Sequence, residues 1–360
     1  MPMRFTSAGF IGITGPITRE SEMKKILASL IEGTTLSRDQ MHKVMQTIMS
    51  GSAQPEQIAG VLVALAAKGE TSLEISAAAE VLRELMVPVE LQASAPAIDI
   101  VGTGGDGANL FNVSTAACFV VAAAGVPVAK HGNVAVSSSS GSANLFRTLG
   151  LDLSLSPEQI GRCINDVGIG FMFAPQHHPA MKHVAPVRKA LGVRTLFNVL
   201  GPLINPARVR HHVIGVYAPE LLTVMAEALR DLGSERALIV HSEDGLDELS
   251  IAAPSQMVML DHGEITLCDF DPASVGILGS LEPLVVDSAE QSLALIQAAF
   301  AGEPGPAADI IALNAGAALC VAQRAGTIAE GVAMARSLMT NGAAAERVRQ
   351  LQAFAPAVSA

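Results

Sequence analysis

From Met23 to about residue 95 the apolar positions return every three or four residues, as in PEQIAGVLVALAAKG (55–69), and this period predicts helices throughout. Ser37 with Gln40 and Thr71 with Glu74 have capping-box spacing, in which a hydroxyl oxygen accepts an otherwise orphan backbone N–H at a helix start. At residue 97 the pattern changes. AIDIV (97–101) is an apolar strand run, followed by a glycine loop and an apolar helix from Val113 to Ala124. VPVAK (126–130), a second loop and a helix near Ala143 to Leu149 repeat the unit. Ser156-Pro157-Glu158-Gln159 opens another helix, with proline at its favoured first position. IGFMF (169–173) reads as a strand, and HPAMKHVAPVRKALG (178–192) and TLFNVLG (195–201) as helical. HHVIGVY (211–217), a helix over 219–232 and RALIVH (236–241) continue the alternation. Gln256 to Cys268 predicts a hairpin about Asp261-His262-Gly263, and residues 291–360 read as helical. The whole is an α/β chain: a small all-helical N-terminal domain over 23–95, then a large α/β domain over 96–360 with a central, mostly parallel sheet. Residues 1–22 read as a loose extension.

Composition narrows the function classes. Half of the 360 residues are hydrophobic, with one Tyr and no Trp, so a sizeable core of small side chains is expected. A net charge of −11 argues against a general nucleic-acid or membrane-surface binder. The charge is uneven, however: residues 107–219 carry nine Lys or Arg against three acids (Asp152, Glu158, Asp166), which suits a small anionic substrate. Cys118, Cys163, Cys268 and Cys320 are scattered without a C-x-x-C, the pattern of reduced core cysteines in a cytoplasmic protein. No apolar run reaches the ~18 residues of a membrane span, and the N-terminus lacks a signal-peptide layout.

Four stretches carry candidate chemistry. In DIVGTGGDGANLFNVSTA (99–116), Gly102, Gly104 and Gly107 have the G-x-G-x-x-G spacing between a strand and a helix, where free N–H groups and the helix dipole receive an anion. A plain tight turn is the bland alternative, since that spacing alone is weak. A dinucleotide site needs an acid about 20 residues on for the ribose; here no acid follows until Asp152, and the second strand ends in Lys130-His131. That favours a phosphate or pyrophosphate. No G-x-x-x-x-G-K-[ST] is present. The second stretch, KHGNVAVSSSSGSAN (130–144), supplies a cation, an imidazole, an amide and hydroxyls that face the first loop if its strand lies parallel to the first. The third, HSEDGLDELS (241–250), packs four carboxylates into six residues, a hard-oxygen set suited to Mg²⁺ or simply a solvated acidic turn. The fourth, residues 173–207, carries His177, His178, Lys182, His183, Arg188 and Arg194; its spacing does not fit zinc, and arginine suits a carboxylate.

The glycine motif, the K-H-G-N loop with S-G-S-A, H-P-A-M-K-H-V-A-P-V-R and D-G-L-D-E, in this order, resemble the anthranilate phosphoribosyltransferase family over nearly the whole chain from Met23. The resemblance implies a nucleoside-phosphorylase-type large domain, a small domain joined by residues near 190–205, and a homodimer through the helical domains. It implies attack of anthranilate's amine on C1 of phosphoribosyl pyrophosphate, with pyrophosphate leaving. It places phosphoribosyl pyrophosphate on Gly102, Gly105, Asp106, Asn112, Ser114, Thr115, Lys130, His131, Gly132, Asn133, Val134, Ala135, Val136, Ser137, Ser138 and Ser142. It places anthranilate on Gly102, Asn133, His178 and Arg188, and Mg²⁺, two ions per subunit, on Ser114, Asp247 and Glu248. Lys130 and Arg188 then act by charge and positioning, with no general base. The chain departs from the family pattern at Leu110 (commonly Thr), Val134 (commonly Arg), Ser139, Asn144 (commonly Asp) and Ser242 (commonly Gly). Loss of the cation at 134 predicts weaker phosphoribosyl pyrophosphate binding. A pyrimidine-nucleoside phosphorylase, a non-catalytic nucleic-acid-binding relative and, more distantly, a nicotinamide oxidoreductase are the alternatives.

Overall fold

The computed structural model describes residues 19–92, 96–134 and 141–354. Four helices come first: α1 (Arg19–Ile31), α2 (Arg38–Met49), α3 (Pro55–Lys68) and α4 (Ser72–Leu85). The first begins at Arg19, within the stretch read as a loose extension, so that boundary is corrected to residue 18 at the latest. Both expected capping boxes form, Ser37 with Gln40 and Thr71 with Glu74. On α2, Met41, Val44, Met45 and Ile48 make one buried stripe at helical spacing, which turns this face inward.

The α/β part follows as β1 (Ile98–Gly102), α5 (Val113–Ala123), β2 (Val128–Gly132), α6 (Ser142–Thr148), α7 (Pro157–Val167) and β3 (Ile169–Phe173). The chain then runs through short helices α8 (Ala174–His177), α9 (Ala185–Leu191) and α10 (Phe197–Leu200). It returns to the sheet as β4 (His211–Gly215), α11 (Leu221–Asp231), β5 (Arg236–Ser242), β6 (Ser255–Asp261) and β7 (Glu264–Phe270). Helices α12 (Ala289–Phe300), α13 (Pro306–Val321), α14 (Ile328–Thr340) and α15 (Ala343–Ala353) close it.

The seven strands lie in the order β3-β2-β1-β4-β5-β6-β7. The first five are parallel; β6 and β7 add an antiparallel hairpin to one edge. The sheet is buried on both faces because successive strand residues point opposite ways. Val213, Leu238 and Val240 enter the core shared with α5, α12 and α13. Ile214, Ala237 and Ile239 enter the core shared with α1–α4 and α11. The connection between β3 and β4 also joins that second core through Val184, Val187, Phe197 and Leu200, so it leaves the sheet to pack among the N-terminal helices. Arg83 of α4 fastens this layer, donating to the carbonyls of Leu203 (2.7 Å) and Leu232 (3.2 Å).

From β1 the chain winds one way to β2 and β3, then returns to place β4 on the other side of β1. The carboxyl ends of β1 and β4 therefore flank a topological switch point, where α/β sheets open a crevice for ligands.

Candidate functional site

The glycine loop occupies that crevice. Thr103 anchors it to β4, its N–H donating to the Gly215 carbonyl at 2.9 Å and its hydroxyl accepting from the Tyr217 N–H at 3.1 Å. Gly104, Gly105 and Gly107 have φ of +71°, +83° and +77°, the left-handed region that L side chains rarely adopt. Gly102 is glycine for a different reason. A Cβ there would drive into the Asp247 carboxylate, and one on Gly215 into the Asp247 carbonyl, so two glycines make room for one acid.

Asp247 reaches across from the loop after β5. Its Oδ2 accepts from the Gly104 N–H at 2.6 Å, and the neighbouring Glu248 Oε1 accepts from the Ser114 N–H, in the first turn of α5, at 3.0 Å. Both are buried. Burial first, and then the Asp106 carboxylate, push the Asp247 pKa up to about 6. Burial, Asp247 and Asp106 hold Glu248 well above the usual carboxylate range. Three carboxylates thus converge, offset by backbone N–H groups and the Lys130 charge, a hard-oxygen set that a divalent cation would neutralise. Among the described residues, no three His, Cys, Asp or Glu side chains close into a ready metal cage. The remaining acids of this stretch turn elsewhere. Asp244 accepts from the Ser250 hydroxyl at 2.5 Å and braces the loop, and Glu243 is exposed.

The loop after β2 lies alongside. Gly132 is pressed against the Ser142 hydroxyl, and Ser142 Oγ donates to the Asn133 carbonyl at 3.4 Å. Asn133 Oδ1 accepts from the Val134 N–H at 2.8 Å. Ala135, Val136, Ser137, Ser138 and Ser139 fall outside the described residues. Asn112 caps α5 and its Oδ1 accepts from the Ser292 hydroxyl at 2.9 Å, which fixes it against α12. Thr115 is fully buried and its hydroxyl has no partner among the described residues. Lys130 is not on the loop surface: 2% exposed, it donates from Nζ to the Ile100 carbonyl at 2.6 Å, beneath β1. From there its charge bears on Asp99 and Glu248.

A buried polar knot lies under this loop. His131 donates its N–H to Asp99 Oδ1 at 3.3 Å, and Asn205 donates to Asp99 Oδ2 at 2.7 Å and to the Ala129 carbonyl at 2.9 Å. Burial pushes Asp99 up to about 6. Sequence reading missed Asp99 and Asn205; a lone acid in the apolar run AIDIV was the available signal. The His131 and His178 rings are 5.1 Å apart. Burial and the adjacent histidines depress both, His178 to about 4, so both rings are neutral at physiological pH. Arg188 of α9 lies over the Phe197 ring (5.6 Å) with no ion-pair partner among the described residues, a cation held for something else. His177 Nδ1 contacts the Val87 carbonyl at 2.8 Å and joins α8 to the segment after α4. Arg194 lies over the Tyr217 ring and donates to the Gly105 carbonyl.

Known proteins share this chain's two parts and its fold. Residues 24–86 match the helical bundle domain of a glycosyl transferase family and residues 94–345 its a/b domain. The chain is 54% identical over 334 residues to anthranilate phosphoribosyltransferase from Chromohalobacter salexigens, covering 92% of this chain and 97% of that protein. The crystal structure of the Thermus thermophilus anthranilate phosphoribosyltransferase superposes with a TM-score of 0.86 at 45% identity, covering 91% of this chain and 98% of that one. The Saccharomyces cerevisiae enzyme in complex with phosphoribosyl pyrophosphate and Mg superposes with a TM-score of 0.84 at 28% identity, covering 94% and 98%.

Proposed function

This chain belongs to the anthranilate phosphoribosyltransferase family, and on that premise we propose how its residues divide the reaction. The enzyme transfers the phosphoribosyl group of 5-phosphoribosyl 1-pyrophosphate to the amine of anthranilate, releasing pyrophosphate, a step of tryptophan biosynthesis.

An aromatic amine is neutral at physiological pH, so no base is needed to free its lone pair. The protein's tasks are to align the amine with C1 and to stabilise the charge that develops on the leaving group. The glycine loop and the positive end of the 11-residue helix α5, with Ser114 and Thr115 in its first turn, face the pyrophosphate. Arg188, a cation without a counter-ion among the described residues, takes the anthranilate carboxylate, and the neutral His178 ring packs beside it. Lys130 acts from beneath the sheet, moderating the repulsion among the acids.

Asp106, Asp247, Glu248 and the Ser114 hydroxyl fit Mg²⁺, whose use the yeast complex supports. Magnesium, when bound, supplies positive charge to the pyrophosphate. We assign two ions per subunit because three converging acids exceed what one divalent charge offsets. Residues 23–95 with about 190–205 form the small domain. Ile31 and Val63, 73% and 45% exposed on the N-terminal helices, support homodimerisation through it; light scattering tests this. A cytoplasmic location accords with the unpaired cysteines.

The single observation that carries the reading is the meeting of Asp247 with the glycine loop and of Glu248 with the first turn of α5, at the switch point. The test is to mix the protein with Mg²⁺, phosphoribosyl pyrophosphate and anthranilate and to follow anthranilate fluorescence. A steady loss of emission is expected; unchanged emission with folded protein overturns the reading.

A further inference from the structure

Arg194 carries none of the roles assigned above, yet its placement is specific. It follows Gly192, which ends α9 in the left-handed conformation, and lies on the connection that packs among the N-terminal helices. From there its guanidinium crosses to the other side of the crevice. It lies over the Tyr217 ring at 4.0 Å from the centroid and donates through Nη2 to the carbonyl of Gly105. The position a Gly105 Cβ would take is 3.5 Å from Nη2 and 3.7 Å from Nε, so the planar group is laid against the glycine's open face. Tyr217 is itself tied to the loop, through its N–H to the Thr103 hydroxyl. Glu70, on the link between α3 and α4, bears on the same ring: with burial, its charge pushes the Tyr217 phenol up.

Three left-handed glycines within four residues give the loop a broad range of accessible conformations, which binding must narrow at an entropic cost. Two side chains restrict it in advance. Asp247 holds the Gly104 N–H and Arg194 holds the Gly105 carbonyl. Across a trans peptide the carbonyl of Gly105 and the N–H of Asp106 point in opposite directions. Holding that carbonyl on the Arg194 side therefore turns the Asp106 N–H away from Arg194 and keeps a carbonyl oxygen, which would repel pyrophosphate, out of its place.

We propose that Arg194, seated on Tyr217, is a positioning residue that pre-forms the glycine loop for phosphoribosyl pyrophosphate. The proposal rests on the transferase reading above. R194A should raise KM for phosphoribosyl pyrophosphate about tenfold or more, the loss expected of one charge-assisted hydrogen bond, with kcat and the anthranilate KM within about twofold of the parent. Y217A, which removes the seat and leaves the cation, should raise the same KM in the same direction. Tyr217 is the sole Tyr in a chain without Trp, so intrinsic tyrosine emission reports on this one position. Titrating the parent with phosphoribosyl pyrophosphate and Mg²⁺, without anthranilate, should change that emission, and in R194A the midpoint should move upward by the factor seen in KM. A role confined to stability lowers Tm but leaves both midpoint and KM in place, and that result overturns the proposal. So does a parent-like KM in Y217A. If the parent turns over and R194A keeps the parent KM, the proposal alone fails. If the parent shows neither turnover nor a change in emission, the transferase reading fails and takes the proposal with it.

Discussion

Replacing Asp247 by Asn should stabilise the fold while removing turnover. Asp247 is 8% exposed and its pKa is pushed up to about 6. Against about 3.9 in an unfolded chain, that difference destabilises the native state at pH 7 by about 3 kcal/mol. The sign is that of a raised carboxyl: the penalty is fully present above pH 6 and fades as pH falls from 6 toward 4, where the native state takes up its proton first. Asn removes the charge and keeps an oxygen for the Gly104 N–H, now 2.6 Å from Oδ2. A neutral acceptor in place of an ionic one returns about 1 kcal/mol of that gain. The net is about 2 kcal/mol, or a rise in Tm of about 3 °C for a chain of 360 residues. Thermal unfolding followed by circular dichroism at pH 7.5 in EDTA measures it. The gap between variant and parent should shrink at pH 5, and added Mg²⁺ should close it by raising the parent, because an ion that binds only the folded state stabilises it. Turnover should fall by roughly 100-fold or more. A variant that melts below the parent at pH 7.5, or a gap that widens toward pH 5, refutes the reasoning.

Glu74 is the opposite case. Fully buried, it accepts from the Leu36 N–H (2.9 Å), the Thr71 N–H (3.0 Å) and Lys68 Nζ (2.8 Å). Burial pulls its pKa upward, but Lys68, Leu36 and Thr71 outweigh it and hold the carboxyl below its usual value. E74A should cost about 3–5 kcal/mol in urea unfolding at pH 7, by stranding Lys68 and the Leu36 N–H. That contribution stands above about pH 4.3 and is lost in acid, so the E74A deficit should narrow below pH 4. V134R, which restores a cation beside the second loop at a position now 37% exposed, should lower KM for phosphoribosyl pyrophosphate about three- to tenfold; an unchanged KM discounts a missing phosphate contact there. R188Q should raise the anthranilate KM about tenfold or more and leave that for phosphoribosyl pyrophosphate near the parent's, and the reverse split would reassign Arg188.

Much of the architecture was legible in the chain because it follows from local rules. The change from helical spacing to strand–loop–helix at residue 97 marks where the sheet begins, and both capping boxes form where their spacing put them. The strand IGFMF and the hairpin about His262 are where the pattern placed them. The start of α1 was not, since Arg19-Glu20-Ser21-Glu22 holds no apolar residue from which a period could be read. In the site, Asp247 and Glu248 were picked out as a pair only by resemblance. Spacing alone offered four equivalent acids, and it is the path of the loop after β5 that sends Asp244 to Ser250 and Asp247 to Gly104.

By itself the sequence determined which segments are helix or strand, that a glycine loop joins β1 to α5, and that cations crowd the middle of an acidic chain. Those are properties of neighbouring residues, fixed by periodicity, capping and backbone freedom. Only the tertiary structure decided that Gly102 makes room for the carboxylate of Asp247 and Gly215 for its backbone, and that Lys130 is buried against β1 instead of standing on the loop. It alone decided that Arg194 meets Gly105, 89 residues away in the chain. The physical reason is the return of the chain from β3 to β4. Inserting a strand beside β1 brings loops distant in sequence to one sheet edge, and no local pattern encodes which of their side chains then touch.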